Sequence, residues 1–378
     1  MKKINLLCYH PSSILVLLLL ACGNTPPAPK TQPGSPSWAS GYPKAPFGAT
    51  SVDITLKTDI QSNAFWIIAE QPLTLTPEEV KAQAAAPTNP AIKFKGISAL
   101  APNTEKTEVV MGLSQKKKYY AYVVGESVAD TKLQDNVSAI EFTTNERQAL
   151  GQYTSTAENR QCLFLMYRPE NVMKYPGNKY PLLVFLGGNG EVASQGQINM
   201  IRNGSLTEFI NNGNDVPMMV MSIQHINANW NTKLIDEGIS HALANYPVDD
   251  KKIYLTGISG GGFGAWYYAG DYPARLAALV PISGGGNTGK ACGMKGVPVW
   301  TFTNNTDSTV PVTNTANMVN AYNACSPPTA AKYDKFTDDG HDCWRRVYDK
   351  NHGDWSKGGI AGTTTKPDIY TWLLSKSI

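Results

Sequence analysis

A serine with glycine two residues to either side stands in Gly257-Ile258-Ser259-Gly260-Gly261, directly after the apolar run Lys252 to Ile258 and before a segment of helical pattern. A sharp strand-to-helix turn there would bring backbone against backbone, which glycine tolerates, and set the hydroxyl at the positive end of a helix. A serine hydroxyl is a weak nucleophile at neutral pH and needs a base within hydrogen-bond reach, itself oriented by a carboxylate. Asp307 follows the apolar run Val297 to Thr303, and His341 lies in Gly340-His341-Asp342 after the short strand pattern Lys332 to Thr337. Both candidates sit at strand ends, and the chain order Ser, acid, His is one of the arrangements in which a triad performs acyl transfer through a covalent serine intermediate.

Other candidates fit this chemistry less well. His225 and His241 precede the nucleophile, His352 lies in a polar stretch, and His10 falls in the leader; Asp334 and Asp338 do not follow a long apolar strand. The oxyanion of such a reaction needs the N–H after the nucleophile, here Gly260, and a second from the loop after an early strand. That loop is Gly187-Gly188-Asn189-Gly190-Glu191, with Gly188 or Asn189 as donor. Trp230, Trp266, Trp300 and Trp344 lie near strand ends or these motifs, and Trp230 and Trp344 are expected to line the substrate cleft. No Cys or His spacing matches a zinc site, and the reaction calls for neither metal nor organic cofactor.

These residues need a rigid frame. From residue 150 to 378, near-continuous apolar runs (Tyr180 to Leu186, Val216 to Ile223, Lys252 to Ile258, Leu276 to Ile282, Val297 to Thr303) alternate with helical segments (Leu234 to Asn245, Gly262 to Tyr272, Thr313 to Ala324). The pattern predicts an α/β domain, a mostly parallel sheet covered by helices on both faces, with ligands at the carboxyl ends of its strands. Residues 47–147 instead alternate apolar and polar in short segments: Ser51 to Lys57, Ala64 to Glu70, Thr107 to Gly112, Tyr119 to Gly125 and Ser138 to Thr143. That predicts a small all-β sandwich, with one helix capped by Thr76 and started by Pro77.

Residues 22–46 are rich in Pro, Ser, Thr and Gly and read as a flexible tether. Residues 1–21 carry Lys2, Lys3 and an apolar stretch from Ile14 to Ala21 that meets Cys22, an export signal too short to span a bilayer. Export puts Cys162, Cys292, Cys325 and Cys343 in an oxidising compartment, where three pairings are open and Cys292 with Cys325 is the preferred one. The length of 378 residues fits two folded units, and Lys+Arg 33 against Asp+Glu 30, net +3, gives nucleic-acid binding no support. The short basic run Lys116 to Lys118 reads as the solvated end of a strand.

Three stretches carry a family resemblance: Tyr180-Pro181-Leu182-Leu183-Val184-Phe185-Leu186-Gly187-Gly188-Asn189-Gly190-Glu191; Gly257 to Trp266 running on to Pro281-Ile282-Ser283-Gly284-Gly285-Gly286; and Gly340-His341-Asp342-Cys343-Trp344 with Tyr370-Thr371-Trp372-Leu373-Leu374. Residues 150–378 thereby resemble the α/β-hydrolases of the phospholipase/carboxylesterase-like and predicted-peptidase group, related to feruloyl and acetyl xylan esterases and polyhydroxybutyrate depolymerases. Leu-Leu-Ala-Cys resembles a bacterial lipobox, which implies lipidation at Cys22 and a cell-envelope location. Tyr119 to Glu126 and Val137 to Thr144 resemble the closing strands of a fibronectin type III module. The sequence departs from the hydrolase pattern where Gly187-Gly188 and Thr303-Asn304 replace His-Gly, and in an insertion from about Lys350 to Lys366.

The resemblance implies a secreted serine esterase, with a small-molecule or polysaccharide-linked ester, feruloyl or acetyl, as substrate. A peptidase or polyester depolymerase would use the same triad. A non-catalytic binding protein is the reading from a different class, and only this one predicts that Ser259→Ala leaves function intact.

Overall fold

The computed structural model describes residues 34–378 apart from residues 193, 195, 196 and 203. The expected export signal, Cys22 and the first part of the expected tether lie outside the described residues. The later part of the tether departs from expectation. Pro36 is buried, Trp38, Ala45 and Phe47 pack on the first hydrophobic core, and Trp38, Lys44 and Phe47 form bridges to Thr58, Thr55 and Val52. Pro43 and Pro46 interrupt the ladder, so the segment has a loop's composition while serving as a broken edge strand.

Strands β1 (Ser51–Leu56) and β4 (Lys106–Met111) pair antiparallel, facing a four-stranded sheet in the order β3-β2-β5-β6 formed by β2 (Ser62–Ala69), β3 (Ile92–Leu100), β5 (Lys118–Ser127) and β6 (Ser138–Thr143). Between the sheets lie Val52, Ile54, Trp66, Tyr119 and Phe142. Helix α1 (Pro77–Ala85) covers the outer face with Val80 and Ala84 against Phe65, Ile67, Tyr122 and Val124. Its start is a reciprocal cap: Glu79 N–H donates to the Thr76 hydroxyl and Thr76 N–H to the Glu79 carboxylate. Strand β3 has no counterpart among the segments expected from the sequence, because Gly96 and the exposed Ile97 break the alternation that Ile92, Lys93, Phe94 and Lys95 begin.

The second unit begins with the antiparallel hairpin β7 (Gln148–Ser155) and β8 (Arg160–Tyr167). It continues through α2 (Glu170–Lys174), β9 (Tyr180–Leu186), α3 (Asn199–Arg202), α4 (Ser205–Asn211), β10 (Met219–Ile223), α5 (Thr232–Asn245), β11 (Val248–Ile258), α6 (Gly260–Asp271), β12 (Ala278–Ile282), β13 (Trp300–Thr306), α7 (Val312–Ala324), β14 (Lys332–Asp339), α8 (Trp344–Tyr348) and α9 (Ile369–Leu374). The eight strands lie in the order β14-β13-β12-β11-β9-β10-β8-β7, with β9 to β14 mutually parallel. This is the α/β-hydrolase fold. Alternate residues of one strand feed opposite cores: Leu182, Val184 and Leu186 meet α5, α6 and α7, while Leu183 and Phe185 meet α4, α8 and α9. Two buried faces explain the unbroken apolar runs.

Cys292 and Cys325 form a disulfide that ties the segment before β13 to the end of α7. Cys162 and Cys343 are free; one is buried on the α5 face of the sheet and the other on the α8 face, so no second bridge can form.

The two units meet through buried polar contacts. The Glu170 carboxylate accepts from Ala49 N–H at 3.1 Å, Thr50 N–H at 2.9 Å and the Ser51 hydroxyl at 2.7 Å. Lys174 donates to Asp53 at 2.6 Å, both side chains under a tenth exposed. Removing the acceptor leaves partly buried donors without their partner, at about 1–3 kcal/mol. Glu170→Ala is therefore expected to lower the unfolding free energy obtained from urea titration by that amount, with Glu170→Gln recovering part of it; an unchanged free energy would show that water replaces the carboxylate freely.

Candidate active site

Strand β11 ends at Ile258 and α6 starts at Gly260, so the chain reverses direction at Ser259, whose φ of 51° lies in the left-handed region that a side-chain-bearing residue rarely adopts. Gly257 and Gly261 allow the turn, because a Cβ on Gly257 would collide with the Gly261 carbonyl and one on Gly261 with the Leu186 and Gly187 carbonyls. The serine is thus held on top of the sheet, with its hydroxyl clear of the strand.

Asp307 follows β13, and its Oδ1 accepts the N–H groups of Thr309 and Val310, each at 2.9 Å. Its other oxygen, Oδ2, lies 2.7 Å from His341 Nδ1, and His341 Nε2 lies 2.8 Å from Ser259 Oγ. An ionised carboxylate can only accept, so the ring proton sits on Nδ1 and Nε2 is left to accept the serine hydroxyl. The Asp307 side chain is fully buried and that of His341 is 19% exposed, which leaves the ring edge open to a ligand. The turn carrying His341 is braced from below: Asn304 Nδ2 donates to Gly340 O at 2.8 Å, and buried Arg346 pairs with Asp338 at 2.7 and 3.0 Å while donating to Asn304 Oδ1 at 3.2 Å. Asn304 is one of the departures from the hydrolase pattern, and here it joins the acid-bearing strand to the histidine turn.

The other candidates serve elsewhere. His225 is buried, stacks on Trp230 with centroids 4.3 Å apart, and burial holds it below the usual histidine range. His241 lies on α5, His352 caps a short turn, Asp334 accepts from Trp300 Nε1 and Asp338 pairs with Arg346. Trp266 and Trp300 are core residues, 1% and 4% exposed.

Of the oxyanion candidates, Gly260 begins α6, so its N–H has no intrahelical acceptor. Gly188 does not offer its N–H to a ligand, because that group donates to the Glu191 carboxylate at 3.0 Å. Of the two loop candidates this leaves Asn189, whose side chain and backbone nitrogen both lie beside Gly260. Trp230 Nε1 donates to Gly187 O at 3.0 Å and holds the loop from its other side. Glu191, the charged residue of this glycine-rich loop, is buried and folds back onto Gly188, a placement with no local signature in the sequence.

Two clefts meet at Ser259. One, of about 410 Å³, is walled by Trp230, Phe263, Tyr267 and Val310, with Asn189 and Gly260 at its base. The other, of about 330 Å³, is lined by His341, Trp344, Arg345 and Glu208. Trp344 stands edge-on to the His341 ring at 5.1 Å. Both expected tryptophans therefore border the serine, one on each side. Among the described residues no cluster of three or more His, Cys, Asp or Glu is placed to hold a metal ion.

No protein-family model matches this chain, and none of the curated proteins is similar to it. Solved structures similar to it include a thermostable esterase, 18% identical with a TM-score of 0.46 over 87% of this chain and 96% of the other. A feruloyl esterase module from Clostridium thermocellum, solved with sinapinate, is 17% identical with a TM-score of 0.41 over 54% and 86%. An S-formylglutathione hydrolase from Staphylococcus aureus is 13% identical with a TM-score of 0.43 over 60% and 96%. The fold assignment rests on the strand order and connectivity described above.

Burial pushes the Glu191 carboxyl up to about 7, against hydrogen bonds from Ser205 and Gly188 that favour the ionised form. A carboxyl raised on folding binds its proton more tightly in the native state, so stability falls as pH climbs from the unfolded value toward 7. This group should remove on the order of 1–3 kcal/mol across that window. Thermal unfolding at pH 5 and pH 8 is expected to show a smaller fall in Glu191→Gln than in the parent; equal falls would deny Glu191 its raised value.

Proposed function

We propose that this chain is an exported serine hydrolase that cleaves carboxylic esters, with Ser259, His341 and Asp307 as its triad. The observation that carries the reading is the unbroken relay from a buried, doubly hydrogen-bonded carboxylate through His341 to the hydroxyl of a serine held at a helix start. Ser259 Oγ attacks the acyl carbon as His341 Nε2 takes its proton, and the N–H groups of Gly260 and Asn189 bind the oxyanion. The same proton passes to the departing alcohol, after which water repeats the sequence on the acyl-enzyme.

Because Nε2 must reach the leaving oxygen, the alcohol belongs on the His341 side, beside Trp344 and Arg345, and the acyl group in the cleft of Trp230, Phe263 and Tyr267. An aromatic wall of that size suits an aromatic acyl group such as feruloyl better than acetyl. The N-terminal sandwich is a fibronectin type III-like spacer in this reading, and its strand order supports that. The Cys292–Cys325 disulfide supports export, and Cys22 would carry the lipid that holds the enzyme at the cell envelope.

The mature protein should hydrolyse methyl ferulate and nitrophenyl esters, and Ser259→Ala should lose on the order of a million-fold in kcat. Acetylated xylan and a peptide amide tested alongside rank the substrates, and an inert parent protein would favour the binding-protein reading. Tyr267→Ala removes one aromatic wall without touching the triad, so kcat/KM for methyl ferulate should fall about 3- to 10-fold while that for an acetyl ester hardly moves; equal losses on both esters would move the acyl group elsewhere.

A further inference from the structure

Glu191 belongs to neither the triad nor the pair of oxyanion donors, yet its side chain is buried beside Ser259. One oxygen accepts Gly188 N–H at 3.0 Å and the other accepts the Ser205 hydroxyl at 3.0 Å, at the start of α4. In return, Glu191 N–H donates to Gly188 O at 2.9 Å. Gly187 and Gly204 flank the carboxyl so closely that a Cβ on either would collide with it.

The consequence follows from peptide planarity. In a trans peptide the carbonyl of one residue and the N–H of the next point in opposite directions. With Gly188 O turned to Glu191 N–H, the Asn189 N–H faces away from Glu191, toward the side where Ser259 and Gly260 stand. We propose that Glu191 is the positioning residue of the oxyanion loop: by holding both polar groups of Gly188 and anchoring them to Ser205, it presents the Asn189 N–H to the developing oxyanion. This rests on the hydrolase reading. Glu191 touches no reacting atom; it acts through the orientation of one peptide.

A donor that acts on the oxyanion affects the transition state more than the bound substrate, so the loss appears in kcat rather than KM. The test compares the parent with Glu191→Ala and Glu191→Gln in the full-length mature protein, each normalised to sites titrated with a fluorophosphonate. The readouts are kcat, KM for a nitrophenyl ester, and inhibition by an alkyl boronate that forms a tetrahedral anion on the serine. Glu191→Ala is expected to lose about 10- to 100-fold in kcat per titrated site with KM within about 2-fold, and boronate affinity should fall by the same factor. Glu191→Gln, which retains an acceptor for Gly188 N–H, should stay within about 3-fold of the parent.

An unchanged kcat per site in Glu191→Ala, or a change confined to KM, overturns the assignment. If that variant does not fold, Ser205→Ala removes only the outer anchor; a parallel loss of about 3-fold in kcat and boronate affinity supports the assignment, and no loss overturns it. A parent protein that neither labels nor turns over removes the hydrolase reading as well, whereas an active parent with an equally active Glu191→Ala removes this inference alone.

Discussion

The contact between the first turn of α6 and the carboxyl edge of the sheet is the constraint on which the site depends. Three glycines, Gly257, Gly261 and Gly262, lie where any Cβ would meet backbone carbonyls of β9, β12 or α6 itself. Their absence of side chains lets the helix start directly on the sheet, and that close approach forces Ser259 into its left-handed backbone. Strain of this kind persists only where the surroundings hold it, and here both faces of the sheet are packed with apolar side chains.

With the serine fixed in this way, the remaining groups arrive from the ends of other parallel strands. The loop from Gly187 to Glu191 follows β9, Asp307 follows β13 and His341 follows β14. Parallel strands end on one edge, so residues far apart in sequence converge without long excursions of the chain. The two turns that must keep register with each other, those of Asp307 and His341, are joined by Asn304, Gly340, Arg346 and Asp338. A buried charge pair adds little net stability, but removing either partner is costly, so the network resists the shifts that would part histidine from acid.

Polar contacts also order the two units of the chain. Glu170 and Lys174, in a single short helix, reach the residues that open β1. The sandwich is therefore seated on the α/β unit by charge-assisted hydrogen bonds as well as by chain connectivity. These contacts lie on the α2 side, away from the residues that line the clefts at Ser259.

Much of this was legible in the sequence because it depends on local rules. Short continuous apolar runs between turn residues fit strands covered on both faces, a serine spaced by glycines after such a run marks a strand-to-helix turn, and Thr76 before Pro77 marks a helix start. These signals pointed to the α/β sheet and to Ser259, Asp307 and His341, which the structure brings within hydrogen-bond distance. Other features depend on long-range contact and had no local signature. Pro36 to Phe47 has the composition of a tether but finds an apolar groove beside β1. The engagement of the Gly188 N–H turns on a carboxylate folding back onto the loop, and the free state of Cys162 and Cys343 turns on their lying across the sheet from each other. Composition and spacing determine which elements form and which chemistry they can carry; the direction in which a single N–H points, and which side of a sheet a side chain occupies, are decided only when distant segments compete for the same space and the same hydrogen bonds.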